Sequence, residues 1–255
     1  MPDDRIAKIA RLLAEAWLDG EVIEPLPVGL RPRDSAEATA VQDAMIRRIG
    51  LPVVGWKVAG GLGALVGRIL APRLFVTPAI LPQPAFAAPR VECELGFELL
   101  RELPPRASPY TGDEVAEACR LITCLEITAT RIRGASHSPD DAPIYIADNG
   151  MQGGLVVGAR FDEWRHFSLL DITVDLRIDG GPSQPLTPRK ERNDPFEVMV
   201  WLANALSYRG LGLVAGQVAT LGSITLSQPL AAGQSAAADY GRFGTINVRV
   251  ATPAA

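Results

Sequence analysis

The 255-residue sequence lacks several features that would assign a chain to a functional class. It has only three cysteines, Cys93, Cys119 and Cys124, and no Cys-x-x-Cys pair, which argues against a disulfide framework and a zinc site. A formal net charge of −4, without a run of basic residues among aromatics, argues against nucleic-acid binding. No apolar stretch reaches the length of about 18 residues that indicates a membrane span. We therefore expect a cytoplasmic protein with reduced thiols.

Missing motifs narrow the choice among enzymes. Gly-x-Ser-x-Gly is absent, so a Ser-His-Asp hydrolase is disfavoured. The run from Gly60 to Gly67 has the wrong glycine spacing for a dinucleotide loop and lacks Gly-Lys-Ser/Thr, so we interpret it as a flexible loop. The two histidines, His137 and His166, lie in polar, turn-like segments, and His137 could belong to a lid over a site.

The hydrophobic residues that are present, 47% of the chain, suffice for a large core. Helical periodicity and capping residues predict four helices, and β-branched or alternating segments predict strands elsewhere. The helices are expected over 5–17 and 34–50, from the capping box Thr111/Glu114, and from Asp194 to Gly210. A proline-rich passage over 72–89 is expected to bridge to the β-rich remainder. We predict an α+β fold with a helical segment over 1–50 and a β-rich catalytic domain over 51–255, forming one continuous unit.

Carboxylates are concentrated in one predicted strand. In the alternating run from Val91 to Leu100, Glu92, Glu94 and Glu98 share one face, and apolar residues share the other. Taken alone, this pattern favours a half-exposed strand with a solvated polar face.

A further acid, Glu126, lies in a β-branched segment over 121–130 that carries no other charge. Because burying an unpaired carboxylate is costly, such a residue is expected to have a partner. If the two strands are neighbours, Glu92, Glu94 and Glu126 would form a hard-cation site for Mg²⁺, or next Mn²⁺. Lys57, a charge in an apolar strand, either reaches water or faces an anion; at this site it would bind a substrate carboxylate or transfer protons with a depressed pKa.

Six motifs, in this order, resemble the 2-keto-4-pentenoate hydratase branch of the fumarylacetoacetate hydrolase superfamily. They span Gly55 to Val58, Val91 to Glu94, Leu125 to Ile132, Ala147 to Asn149, Trp201 to Asn204, and Ala215 to Thr225. The resemblance implies a mixed β-sheet roll like the C-terminal domain of that superfamily, preceded by a helical segment and assembled into homo-oligomers.

The resemblance also implies roles for particular residues. Glu92, Glu94 and Glu126 would ligate Mg²⁺ or Mn²⁺, and Lys57 would face the substrate. Four more residues would lie at the pocket: Asp148 in catalysis, and Asn149, Ser223 and Thr225 in substrate binding.

The activity implied by the resemblance is hydration of a small 2-hydroxydienoic acid from aromatic ring cleavage. Three alternatives remain open: decarboxylation of a 4-oxalocrotonate-like 2-oxo diacid, hydrolysis of an acylpyruvate with His137 as base, and a silent subunit that supports a sister hydratase or decarboxylase. The last is motivated by departures from the family pattern, Ala129-Thr130 in place of Asp-Ser and Met151-Gln152 in place of Ser-Ser.

Overall fold

The computed structural model describes residues 4–59, 65–83, 85–86, 88–135 and 141–252. His137 and the glycines at 60, 61 and 63 lie outside the described residues, so the predictions made for them have no structural counterpart here. Five α-helices occur in the described ranges: α1 (Asp4–Asp19), α2 (Ser35–Ile49), α3 (Gly112–Ala118), α4 (Ala142–Ala147) and α5 (Pro195–Tyr208). None of the described helices is long and apolar enough to span a membrane.

The predicted caps define the helix ends. The Asp34 side chain accepts a hydrogen bond from the backbone N–H of Glu37 and starts α2, which ends at Gly50 with a left-handed φ of 71°. Thr111 and Glu114 form the predicted reciprocal capping box at α3. The four predicted helices are therefore confirmed, and the short α4 is an addition that periodicity did not indicate.

The described strands are β1 (Val53–Ala59), β2 (Leu65–Leu70), β3 (Leu74–Val76), β4 (Ala79–Leu81), β5 (Arg90–Leu99), β6 (Cys119–Thr128), β7 (Gln152–Phe161), β8 (Asp175–Ile178), β9 (Val218–Ser223), β10 (Gln228–Pro229), β11 (Ser235–Asp239) and β12 (Thr245–Val250). The passage over 72–89 is more than a bridge, because β3 and β4 lie within it. Each pairs in parallel with a longer strand, β3 with β7 and β4 with β12, so long-range pairing overrides the local proline content.

Two mixed sheets carry the fold. The larger has the order β2-β1-β9-β5-β6-β7-β3, with β10 also paired to β5, and the smaller has the order β4-β12-β11-β8. The larger sheet curls into a roll, since its edge strand β2 packs against β7. Apolar side chains of β2, β6, β7 and β9 meet inside this roll: Ile69, Ile122, Cys124, Leu155, Val157 and Val218. The predicted mixed β-sheet roll is confirmed.

The N-terminal helices pack against the rest of the chain through one hydrophobic cluster. Apolar residues of α1 and α2 share this cluster with Leu70 of β2 and with Ile144 and Ala147 of α4. The helical segment and α4 therefore lie together at the end of the roll where α4 leads into Asp148.

Candidate metal and substrate site

Antiparallel pairing of β5 with β6 brings the predicted carboxylates together. Glu92 is directly opposite Glu126, and Glu94 is opposite Cys124. Residues directly opposite in a ladder project from the same face, so Glu92, Glu94 and Glu126 converge. The expected adjacency of the two strands is confirmed.

The carboxylates line the interior of the roll. One oxygen atom from each of Glu92, Glu94 and Glu126 lies within 4.8 Å of the others. Glu126 is 0% exposed and Glu94 is 2% exposed, whereas Glu92 is partly exposed. The solvated polar face favoured by the local pattern is therefore wrong for Glu94, because the curl of the sheet turns this face inward.

Glu94 is held in place through its Oε2 atom. Its Oε2 accepts hydrogen bonds from the Thr220 hydroxyl and, at 2.9 Å, from the Gly222 backbone N–H. Burial, followed by the negative charge of Glu92, raises the pKa of Glu94 from its ordinary value of 4.5 to about 7. The metal-free carboxylate is therefore partly protonated near neutral pH.

Glu126 is the least satisfied acid of the three. Neither of its carboxylate oxygens accepts a hydrogen bond from the described residues. Its Oε1 forms an ion pair with Lys57 Nζ at 3.0 Å. Burial raises the pKa of Glu126 well above its ordinary value, although the nearby lysine opposes the rise. The Oε2 atom remains a buried acceptor without a donor, which is costly unless a ligand is present.

Lys57 reaches the carboxylate cluster from β1. Its Nζ donates a hydrogen bond to the Gly150 carbonyl at 2.9 Å and lies 5.7 Å from the centre of the Tyr145 ring. Burial opposes the charge, but the neighbouring acids, Glu126 foremost, raise the pKa of Lys57 overall. The anticipated depressed pKa is therefore wrong, and Lys57 is an ammonium ion facing anions.

These residues fit a divalent hard cation. When all are ionised, the three carboxylates and the one ammonium ion leave two negative charges uncompensated. The converging donors are carboxylate oxygens, which Mg²⁺ and Mn²⁺ prefer, and Glu126 Oε2 lacks any donor. The predicted ligand set is compatible with either metal.

Asp148 lies two residues before Gly150, whose carbonyl bonds Lys57, but its own carboxylate is already fully engaged. Its Oδ1 accepts a hydrogen bond from Arg131 Nε at 2.6 Å, and its Oδ2 accepts from the Arg131 backbone N–H and the Thr130 hydroxyl. Asp148 is 0% exposed. These contacts indicate that Asp148 positions the segment between α4 and β7; its predicted direct part in catalysis remains a prediction that no contact supports.

The other predicted pocket residues also bond to backbone. The Asn149 side chain accepts from the Arg68 N–H and donates to the Arg68 carbonyl, both at 2.8 Å. Thr225 Oγ1 accepts from the Cys93 N–H at 3.0 Å, and the Ser223 hydroxyl donates to the Thr225 carbonyl at 2.6 Å. These side chains fix β2, β5 and β9 around the carboxylates. Their substrate-binding roles remain predictions.

Sequence reasoning missed several residues at the site. The Thr220 hydroxyl bonds Glu94, Arg131 pairs with Asp148, and Tyr145 packs by Lys57. Thr220 could have been found as a polar residue inside an apolar strand, and Arg131 as a second charge in the Leu125 to Ile132 motif. Tyr145 has no such signal, because its place depends on how α4 packs.

The comparisons with known proteins agree with this geometry. No family model matches the sequence. The chain is 29% identical over 187 residues to 2-oxo-hept-4-ene-1,7-dioate hydratase of Escherichia coli, covering 72% of this chain and 69% of that one. It is 27% identical over 231 residues to 2-keto-4-pentenoate hydratase of Paraburkholderia xenovorans, covering 84% and 83%. These relatives confirm the resemblance to the hydratase branch.

Solved structures identify the fold. 4-Oxalocrotonate decarboxylase from Pseudomonas putida G7, complexed with magnesium and adipate, superposes with a TM-score of 0.82 over 98% of each chain at 20% identity. A Yersinia pestis protein whose name places it in the fumarylacetoacetate hydrolase family superposes with a TM-score of 0.54 at 15% identity, over 78% of this chain and 93% of that one. The chain has the fumarylacetoacetate hydrolase fold. The predicted fold class, with its N-terminal helical segment, is therefore confirmed.

Proposed function

We propose that the chain is a divalent-metal-dependent lyase that adds water to a small 2-hydroxydienoate of an aromatic-degradation pathway. The observation that carries this proposal is the carboxylate triad of Glu92, Glu94 and Glu126, in which the buried Glu126 Oε2 lacks a donor among the described residues and the ammonium of Lys57 lies beside Oε1. The names of the curated relatives, which are hydratases of such acids, support the same reaction.

Glu92, Glu94 and Glu126 would hold the cation. A bound Mg²⁺ or Mn²⁺ would supply a Lewis acid that favours the enolate form of a 2-oxo acid. Because Glu94 and Glu126 have raised pKa values without metal, binding of the cation is expected to release protons. We favour Mg²⁺ because all three donors are carboxylate oxygens, which this hard cation prefers.

Lys57 would bind and orient the acid. Its Nζ is fixed by the Gly150 carbonyl and by Glu126, so the ammonium group is preorganised and points at the place where substrate negative charge develops. A lysine in this state stabilises an anion and can donate a proton, but it is not a base in the resting protein.

The same enolate chemistry serves decarboxylation of a 2-oxo diacid, which the fold shared with 4-oxalocrotonate decarboxylase keeps as the alternative. Hydrolysis of an acylpyruvate with His137 as base and a silent role beside a sister enzyme remain predictions. A homo-oligomeric assembly is a separate prediction that light scattering on the purified chain would test.

The decisive experiment follows the ultraviolet absorbance of 2-hydroxypenta-2,4-dienoate with and without Mg²⁺ and identifies products by mass spectrometry. We expect Mg²⁺-dependent loss of absorbance and a product heavier by one water. Glu94→Gln should abolish it. Glu98→Gln is the matched control, since Glu98 lies on the same strand but is paired with Arg120 and Arg160. Loss of carbon dioxide from an oxo diacid, without hydration of the dienoate, would favour the decarboxylase.

A further inference from the structure

Gln152 carries a buried hydrogen-bond donor that no described residue accepts. The residue is 1% exposed, and its Nε2 has no hydrogen-bond partner within the described part of the chain. A buried amide N–H left without an acceptor costs about 1–3 kcal/mol, so such a group usually serves a ligand or a function.

A β-bulge turns Gln152 toward the carboxylates. Glu126 is opposite Leu155 and Ile127 is opposite Gly154, so unbroken pairing would place Gln152 opposite Ala129, on the other face. The register shifts after Ile127, and Thr128 is instead opposite Gln152. Since Thr128 is two residues from Glu126, it shares that face, and the bulge gives Gln152 the same direction.

Gln152 and Glu126 are therefore diagonal neighbours across β6 and β7. Such neighbours have Cα atoms about 7–8 Å apart, within reach of a long side chain or of a small ligand between them. Lys57 also reaches this point, because its Nζ bonds the carbonyl of Gly150, two residues before Gln152. The register thus directs the Gln152 side chain to the strand face that carries Glu126, and the Lys57 ammonium lies beside Glu126.

We propose that Gln152 is a substrate-recognition residue whose Nε2–H donates to the carboxylate of the bound 2-oxo acid, next to Lys57. The assignment deepens the proposed function and rests on it. A carboxylate can accept hydrogen bonds from an ammonium ion and from a neutral amide at the same time. If one of its oxygens chelates a cation, the other remains free to accept them.

Calorimetric titration of the full chain tests this assignment, first with Mg²⁺ alone and then with pyruvate, the simplest 2-oxo acid, at saturating Mg²⁺. Gln152→Leu should leave the Mg²⁺ dissociation constant unchanged and raise that of pyruvate about tenfold or more. Its melting temperature should not fall, because the lost donor had no partner. Gln152→Glu should weaken pyruvate binding further through like-charge repulsion.

Asn204→Leu is the matched control. Asn204 is an amide on α5 whose side chain bonds the backbone of Tyr110 and Val200. We expect this variant to melt at a lower temperature and to bind pyruvate as the wild type does.

The outcomes separate this inference from the proposed function. Tight, Mg²⁺-dependent pyruvate binding that is the same in wild type and Gln152→Leu overturns the role of Gln152 alone. Mg²⁺ binding without pyruvate binding in the wild type overturns it as well, while leaving the metal site. Absence of Mg²⁺ binding would overturn both.

Discussion

The Arg131–Asp148 pair and the carboxylate cluster with Lys57 are two buried sets of charged side chains. They differ in how many of their polar atoms have hydrogen-bond partners. In the Arg131–Asp148 pair, both Asp148 oxygens accept hydrogen bonds, and the guanidinium also donates to the carbonyls of Ala129 and Gln152. In the carboxylate cluster, one lysine faces three acids, and Glu126 Oε2 has no donor among the described residues. A network with all its hydrogen bonds made stabilises the fold, whereas one with an excess of negative charge and an unpaired acceptor is arranged for a ligand.

Breaking the Arg131–Asp148 pair should have the largest effect. Asp148→Asn leaves the Arg131 guanidinium buried without a counter-charge, and we expect a loss of about 3–5 kcal/mol in the free energy of unfolding. Urea denaturation measures it. The exposed pair Glu24–Arg133 provides the control, because Glu24→Gln should cost no more than about 1 kcal/mol. Equal losses in the two variants would contradict the comparison.

Substitution in the carboxylate cluster should affect activity more than stability. Glu126→Gln removes a metal ligand and should lower Mg²⁺-dependent turnover at least about a hundredfold, close to 2.7 kcal/mol. The metal-free variant should lose less stability than Asp148→Asn, because Glu92 and Glu94 remain near Lys57 as counter-charges and the repulsion among the acids is reduced. A variant that unfolds readily yet turns over normally would show that Glu126 is structural.

The next largest effect is expected in the pH dependence of the free energy of unfolding, to which Glu94 of the carboxylate cluster contributes. The pKa of Glu94 is raised to about 7 in the folded protein, so the folded state holds more protons than the unfolded state between about pH 4.5 and 7. Metal-free protein should therefore lose about 2–3 kcal/mol as the pH rises from 5 to 8. Melting curves in EDTA measure this loss.

Mg²⁺ should restore the lost stability, since the cation replaces the proton. Glu94→Gln should make the metal-free pH profile less steep, and the dependence that remains is assigned to Glu126, whose pKa is also raised by burial. A flat profile in the wild type would mean that Glu94 is better compensated than its contacts indicate.

The smallest effect is expected at Glu98, which lies on the same strand as Glu92 and Glu94. It is paired with Arg120 and Arg160 near the surface, at 3.0 and 2.7 Å. Glu98→Gln should change the free energy of unfolding by about 1 kcal/mol or less and leave Mg²⁺ affinity as it is. Weakened Mg²⁺ binding, measured by calorimetry, would show that the cluster extends further along β5.

Local signals predicted the parts of the fold that depend on local physics. Capping residues such as Asp34 and Thr111 fix helix ends through bonds within one turn, and strand alternation placed Glu92 and Glu94 on one face. The carboxylate cluster could be predicted because strongly charged residues in apolar strands are rare enough to stand out.

The remainder depends on long-range pairing. The inward direction of the carboxylate face follows from the curl that brings β2 to β7, which no segment of the sequence encodes by itself. The bulge that aims Gln152 depends on the register between β6 and β7, and the short strands β3 and β4 exist only through partners far along the chain. A catalytic role for Asp148 is implied only by the family resemblance, and its pairing with Arg131 is visible only in three dimensions.

The amide of Asn149 has a consequence for self-association. β2 is the terminal strand of the larger sheet, and an open edge invites strands of other molecules. Asn149 bonds both backbone groups of Arg68, and the Gln42 amide donates to the carbonyl of Val66, two residues along. Two side-chain amides thus occupy the outward positions that a foreign strand would use. The same contacts that support the pocket also protect the protein against edge-to-edge aggregation.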